Sequence, residues 1–229
     1  MHKTKRGKIV RPIPTSENKP LHHTSINPFR KSVYGKMLRT AITKRDQEEM
    51  CLTIGRAYGI PTVALRYFNV YGPRQSLNNP YTGVCAIFSS RIKNDNPPLI
   101  FEDGLQSRDF VSVHDIVEAN LLAMESTNAN YEVFNVGTGK PTNIFEIAQT
   151  LIKLYNKGLK PEITNKFRAG DIRHCFADIS KIKGKLGYKP EVDFEGGMKE
   201  LVAWGEKEES EDKFDEAHEE LKARGLVEE

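Results

Sequence analysis

Residues Lys44 to Arg74 read KRDQEEMCLTIGRAYGIPTVALRYFNVYGPR and carry three signals in a row. Met50, Cys51, Ile54, Ala57 and Tyr58 recur at helical spacing, which predicts one amphipathic helix with an apolar stripe. Gly59 and Pro61 end it: glycine adopts a left-handed cap without steric cost, and proline cannot continue the hydrogen-bond ladder. Thr62-Val63-Ala64-Leu65 then run without polar alternation, as a parallel strand covered on both faces does. Arg66, Asn69 and Arg74 follow where the run turns polar. Helix, stop and buried strand together predict an α/β fold. In open α/β sheets ligands lie beyond the carboxyl ends of the strands, so chemistry is expected near Asn69.

Downstream, Val84, Ile87, Phe88 and Ile92 predict a helix closed by the run Asn94 to Pro98, and Leu99-Ile100-Phe101 a short strand. Ser112 and Asp115 have the spacing of a capping box ahead of a stripe of Val113, Val117, Leu121 and Met124. Tyr131 to Val136 is the second candidate parallel strand, and residues 143 to 155 a further helix. Pro161 to Thr164 reads as a short strand. A helix carrying Ile182 and Leu186, with Asp178 or Ser180 as cap, stops at Gly187, and Gly196 or Gly197 opens the last packed helix.

Residues 1–45 hold twelve Lys or Arg and one acid, Glu17, whereas residues 204–229 hold eleven acids and four Lys or Arg. Three segments are expected: an irregular basic segment over 1–40, the folded part over 41–205, and an acidic helical tail over 206–229 whose Phe214, Ala217 and Leu221 suit a solvated helix better than core. The basic arm invites a nucleic-acid reading, but it has few aromatics and no nucleic-acid motif, so a solvated arm is favoured. Cys51, Cys85 and Cys175 are odd in number and far apart, and read as ordinary thiols of a cytoplasmic protein. No apolar run approaches the ~20 residues that span a bilayer, and the basic N-terminus lacks a signal peptide's apolar core, so neither membrane nor secretion is expected. The histidines show no metal-ligand spacing, and no metal is expected.

Gly137-Thr138-Gly139 stands between a strand and a helix, where a dinucleotide fingerprint would stand, but Thr142 occupies the third glycine position. A tight turn with Asn143 capping the helix and Glu146 closing the box is the favoured reading. Arg108-Asp109 and Arg168 with Asp171 each admit two readings. One is a local ion pair; the other is an arginine fork for phosphate oxygens, with the second pair's Asp on a ribose hydroxyl. Lys44 lies one turn from Glu48 and reads either as solvated or as facing inward beside the apolar stripe.

Taken in order, AITKRDQEEM, GIPTVALRYFNVYGPRQ, FEDGLQSRDFVSVHDIVEANL, YEVFNVGTGK and GDIRHCFADISKIKGKLGY resemble the C-terminal half of an NAD-dependent epimerase/dehydratase of the extended short-chain dehydrogenase/reductase group. Within it the wording is most similar to nucleotide-sugar 4-epimerases of the dTDP-L-rhamnose and UDP-glucose kinds. The resemblance implies the end of a Rossmann-like parallel sheet interleaved with a smaller α/β substrate-binding domain. It implies NAD as cofactor, a UDP- or dTDP-sugar as substrate, and hydride transfer at the sugar C4 through a keto intermediate. Carried over by position, it makes Lys44 the lysine of the YxxxK catalytic pair, on the nicotinamide ribose, and Phe68 a neighbour of the nicotinamide. Asn69, Arg108, Arg168 and Asp171 become contacts of the nucleotide-sugar.

The departures bear on activity. The glycine-rich phosphate loop, GxxGxxG in this family, is absent from the 229 residues. Thr40 stands where the YxxxK tyrosine would stand, and none of the eight tyrosines has a lysine four residues on. Arg30 occupies the position of the catalytic hydroxyl, and Tyr34, in the unassigned run NPFRKSVYGKMLRT, is the only tyrosine near enough to Lys44 to be proposed as a replacement base. A threonine hydroxyl lacks the titratable pKa a general base needs. The sequence therefore predicts a truncated or rearranged epimerase that keeps nucleotide-sugar residues, leaves NAD binding by this chain alone in doubt, and is inactive by itself. Two alternatives stand beside it: half of a split enzyme completed by a separate cofactor-binding chain, and a non-catalytic nucleotide-sugar-binding module. Strand edges left uncovered would favour a homodimer or a complementing N-terminal half.

Overall fold

The computed structural model describes residues 2–3, 9–10, 35–79, 83–168, 172–223 and 227–228. In chain order the elements are β1 (His2–Lys3), β2 (Ile9–Val10), α1 (Gly35–Tyr58), β3 (Ala64–Tyr67), β4 (Asn69–Tyr71), α2 (Val84–Lys93), β5 (Leu99–Ile100), β6 (Ser107–Ser112) and α3 (Val113–Glu125). After a short 3-10 turn come β7 (Val133–Val136), β8 (Pro141–Asn143), α4 (Ile144–Leu154), β9 (Glu162–Ile163), β10 (Phe167–Arg168) and β11 (His174–Cys175). The chain closes with α5 (Ser180–Leu186), α6 (Phe194–Gly205), α7 (Phe214–Ala223) and β12 (Val227–Glu228).

α1 ends as its residues dictate. Gly59 takes φ +66°, and the Ile60 amide donates to the Gly55 carbonyl at 2.8 Å. Gly55 is required by packing, because a Cβ there would stand 2.2 Å from Thr62 Oγ1 and 2.9 Å from the Ile60 carbonyl. Arg66 reaches back from β3 to grip Glu48 through two hydrogen bonds of 2.7 and 2.8 Å, which locks strand to helix.

β3 pairs in parallel with β7, Ala64 opposite Val133 and Tyr67 opposite Val136, and among the described residues it has no second strand neighbour. One residue, Phe68, separates β3 from β4, which joins a different sheet and pairs in parallel with β6. β6 also takes β8 antiparallel and β11 parallel. The chain thus changes sheets at Phe68. There are two cores. Phe134 and Val136 of β7 pack with Ile182, Tyr188 and Val111 of β6, and Phe88, Ile147, Leu151, Met198 and Leu201 pack with Tyr71 of β4 and Phe110 of β6.

Several sequence expectations are corrected. The predicted apolar stripe of α1 faces outward: Met50 is 56% exposed and Tyr58 77%, while Leu52 and Gly55 turn inward. The α3 stripe behaves alike, with Met124 81% exposed and Val117 and Leu121 also outward, while Ile116, Ala119 and Ala123 are buried. β3 is half-buried, because only β7 flanks it among the described residues. It starts two residues later than expected, at Ala64. Asp115 does not close a capping box. Its Oδ1 accepts from the Glu191 and Val192 amides, and Ser112 alone caps α3 by accepting from the His114 amide at 3.2 Å. α6 opens at Phe194 instead of at its glycines, with Asp193 accepting from the Gly196 amide.

A candidate substrate cleft

Where β4 and β6 lie side by side, Asn69 stands opposite Phe110, and Arg108 lies two residues up the same strand. Both side chains line a cavity of about 200 Å³ whose other walls include Phe88, Leu99, Phe101 and Phe214. The structure therefore brings together two of the four residues expected on a nucleotide-sugar. The side chain of Arg168 and the whole of Asp171 lie outside the described residues, although the backbone of Arg168 is in place on β10.

Arg108 is aimed by backbone. Its Nη1 donates to the carbonyls of Ser107 at 2.9 Å and Arg173 at 3.2 Å. The Arg173 carbonyl also accepts the Ser107 amide, so the segment leading into β11 is fixed against β6. Arg173 itself ion-pairs with Glu102 and, through two bonds of 2.6 and 2.8 Å, with Asp103. These donated bonds hold the Asp103 carboxyl well below its ordinary range, at about 2. Arg108 and Asp109 do not pair locally as one reading had it; they lie on β6, and Asp109 turns away to another task.

Asp109 is fully buried and accepts from the Thr138 amide (2.8 Å), the Thr138 hydroxyl (2.6 Å), the Gly139 amide (2.9 Å) and the Ala177 amide (3.1 Å). A Cβ at Gly137 would meet Asp109 Oδ2 at 2.6 Å. The donors that a glycine-rich turn would offer a pyrophosphate are thus already taken by an internal carboxylate. Asn143 caps α4 as expected, accepting from the Glu146 amide at 2.7 Å, with its Nδ2 3.4 Å from Glu146 Oε2. Lys44 is exposed and donates to Gln47, one turn along its own helix, at 3.3 Å. Phe68 is half-buried, its amide donating to the Val136 carbonyl at 3.1 Å. Thr40 lies on α1 with its side chain outside the described residues, and Arg30 and Tyr34 lie wholly outside them. The described residues do not fit NAD: the one Gly-x-Gly turn is filled, and Lys44 is turned to its own helix.

Gln106 was not expected. It is buried and lines the same cavity; its Nε2 donates to the Phe101 carbonyl at 2.8 Å, and its Oε1 has no hydrogen-bond partner among the described residues. A buried acceptor without a partner costs roughly 1–3 kcal/mol, which a donor on a bound ligand would relieve. Phe214 was expected on a solvated helix and instead forms cavity wall. Among the described residues no three metal-ligating side chains cluster, and no helix is long and apolar enough to cross a membrane.

The parallel β3–β7 pair, the mixed sheet of β11, β6, β4 and β8, and the cavity beside the strand that changes sheets make a Rossmann-like α/β fold. Residues 31–137 match the model of the NAD dependent epimerase/dehydratase family, and the chain carries a domain of that family. It is 39% identical to the putative UDP-glucose 4-epimerase of Methanocaldococcus jannaschii, over 84% of this chain and 57% of the relative. Its fold is similar to the crystal structure of a Thermotoga maritima UDP-glucose 4-epimerase with UDP-glucose, at 37% identity and a TM-score of 0.72, covering 88% of this chain and 60% of that one. It is also similar to a Bacillus cereus UDP-glucuronic acid 4-epimerase in complex with UDP-glucuronic acid and NAD, at 31% identity and a TM-score of 0.65, covering 72% of this chain and 52% of that one. The chain spans a little over half the length of these relatives. NAD is a cofactor of the family.

Proposed function

We propose that these 229 residues carry the nucleotide-sugar-binding part of a nucleotide-sugar 4-epimerase, and that the isolated chain binds a UDP- or dTDP-sugar without turning it over. The observation that carries this reading is the convergence of Asn69 and Arg108 on one cavity, with aromatic walls and an unpartnered buried acceptor. Arg108 supplies charge for a diphosphate and the aromatic walls suit a nucleoside; the family resemblance adds Arg168 and Asp171 as further contacts. The working unit extends beyond the expected 41–205, because Phe214 lines the same cavity. In this reading Lys44 and Phe68 contribute to a cofactor site only when a further half completes it, and Thr40 supplies no base. Calorimetric titration with UDP-glucose and dTDP-glucose tests binding, with Arg108→Ala and Arg168→Ala each weakening it. Epimerisation of UDP-glucose by the purified chain with NAD⁺ would refute the second half of the proposal.

One observation favours the split reading. Among the described residues β3 has one edge without a strand neighbour, and Met50, Ile54 and Tyr58 of α1 and Val117, Leu121 and Met124 of α3 are exposed apolar side chains. A cofactor-binding half would pair that edge and cover those faces. Mixing the chain with the separately expressed first half of the Methanocaldococcus relative tests this. Recovery of NAD⁺-dependent epimerisation supports complementation, and a mixture without complex or activity refutes it.

A further inference from the structure

Three polar side chains line the cavity of about 200 Å³, those of Asn69, Gln106 and Arg108, and they differ in what they offer a ligand. A guanidinium only donates, whereas a carboxamide carries donors at one end and an acceptor at the other. In Gln106 the donor end is anchored, because Nε2 donates to the Phe101 carbonyl at 2.8 Å. That bond fixes which way the amide points. The acceptor end, Oε1, is buried and has no hydrogen-bond partner among the described residues. The residue is 5% exposed, so bulk solvent does not supply the missing donor, and its own carbonyl is tied down by accepting the Ile144 amide at 3.1 Å. Apart from these three residues the lining is apolar, from Val84 and Ile87 on α2 to Ile144 on α4. Gln106 immediately precedes β6 and stands two residues from Arg108. Side chains so spaced along a strand project to one side about 7 Å apart, as a shared cavity requires.

We propose that Gln106 is a specificity-determining residue of the cleft: its Oε1 accepts a hydrogen bond from an N–H or O–H of the bound nucleotide-sugar, about 7 Å from the phosphate oxygens that Arg108 holds. The inference rests on the nucleotide-sugar reading of the cleft. A buried acceptor discriminates sharply, because a ligand without a donor at that point leaves it unpaired and a ligand with one does not. Two parts of a nucleotide-sugar carry such donors, the nucleoside and the sugar, and ligands that lack one or both of them separate the two.

The test is calorimetric titration of the full chain, as wild type, Gln106→Met and Arg108→Ala, with UDP-glucose, UDP and pyrophosphate. Methionine keeps the length and bulk of the side chain and removes the acceptor. Gln106→Met is expected to bind UDP-glucose about tenfold more weakly than wild type. Pyrophosphate offers neither an N–H nor a carbon-borne hydroxyl, and should bind the two proteins equally. A matching loss with UDP places the donor on the nucleoside, and a loss confined to UDP-glucose places it on the sugar. Unchanged affinity for UDP-glucose overturns the inference, and so does an equal loss with pyrophosphate, which marks a distorted cavity. Should Gln106→Met melt well below wild type, or pyrophosphate bind too weakly to compare, the ligand side decides. Wild type is then titrated with UDP-glucose methylated at uracil N3 and with its ribose and glucose deoxy analogues. About a tenfold loss with one of them upholds the inference, and equal affinity for all overturns it. If Arg108→Ala weakens UDP-glucose while Gln106→Met does not, the cleft stands and the role of Gln106 falls. Absence of binding by wild type overturns both.

Discussion

Asp109 and Thr138 are joined twice: one carboxylate oxygen, Oδ1, accepts both the Thr138 amide at 2.8 Å and its hydroxyl at 2.6 Å. The second oxygen takes the amides of Gly139 and Ala177. One buried side chain on β6 therefore closes the turn after β7 and ties it to the segment beyond β11. This arrangement keeps the Gly-x-Gly turn from serving a dinucleotide and holds β6 in place beside Arg108.

Replacing Asp109 should be costly. Asp109→Ala removes the acceptor of four donors, three of them part-buried and the Ala177 amide buried, and is expected to destabilise by about 2–4 kcal/mol, while Asp109→Asn keeps one acceptor and costs less. Urea unfolding followed by circular dichroism measures both. A change under about 1 kcal/mol for Ala would contradict the role.

The Asp103–Arg173 contact predicts a pH signature. Arg173 lowers the folded-state pKa of Asp103 from its ordinary 3.8 to about 2. Stability from this pair is therefore complete above the unfolded-state value of about 4 and is lost as pH falls toward 2. Asp103 is half exposed, so screening by solvent keeps the contribution small. Asp103→Asn should flatten the fall in Tm over that window and leave the neutral-to-alkaline range parallel to wild type. An unaltered acid limb would argue against the pair.

The two faces of α1 should answer oppositely to mutation. Leu52 is buried, and Leu52→Ala is expected to cost about 2–3 kcal/mol. The triple variant Met50→Lys, Ile54→Lys, Tyr58→Lys alters only exposed positions, so each change should move stability by no more than about 0.5 kcal/mol. The same triple variant should reduce self-association in size-exclusion chromatography, since it charges an uncovered apolar face. Severe unfolding of the triple variant would show that the face is packed.

At the turn from α1 to β3, Gly55→Ala places a Cβ 2.2 Å from Thr62 Oγ1 and should destabilise by about 1–3 kcal/mol through forced displacement. Gly59→Ala meets no atom within 4 Å and pays only for its positive φ, a cost of about 1 kcal/mol. Thermal melts of the two variants separate crowding from backbone strain, and equal losses would contradict the difference.

Much of the fold was legible locally. The Gly59 stop, the Gly187 stop and the Asn143 cap depend on neighbours in the chain and stand as read, while the Glu146 carboxylate meets the Asn143 side chain and not its backbone amide. Periodicity failed differently: it found the apolar stripes of α1 and α3 but could not say what each stripe packs against, and both face outward. Asn69 and Arg108 were legible through resemblance, and only the pairing of β4 with β6 put them on one cavity. For Asp109 a local pairing with Arg108 was one of two open readings, and its actual role was not legible because its donors lie about thirty or more residues away. Phe214 was hidden by the acidic residues around it, since composition suggested solvent and the anchoring cation, Arg91, sits on a distant helix.

Titration of the purified 229-residue chain with UDP-glucose by calorimetry, wild type beside Arg108→Ala, tests the central claim most directly. The account predicts saturable one-to-one binding by wild type, weakened on the order of tenfold or more by Arg108→Ala. No measurable binding by wild type, or equal affinity in the two proteins, would contradict it.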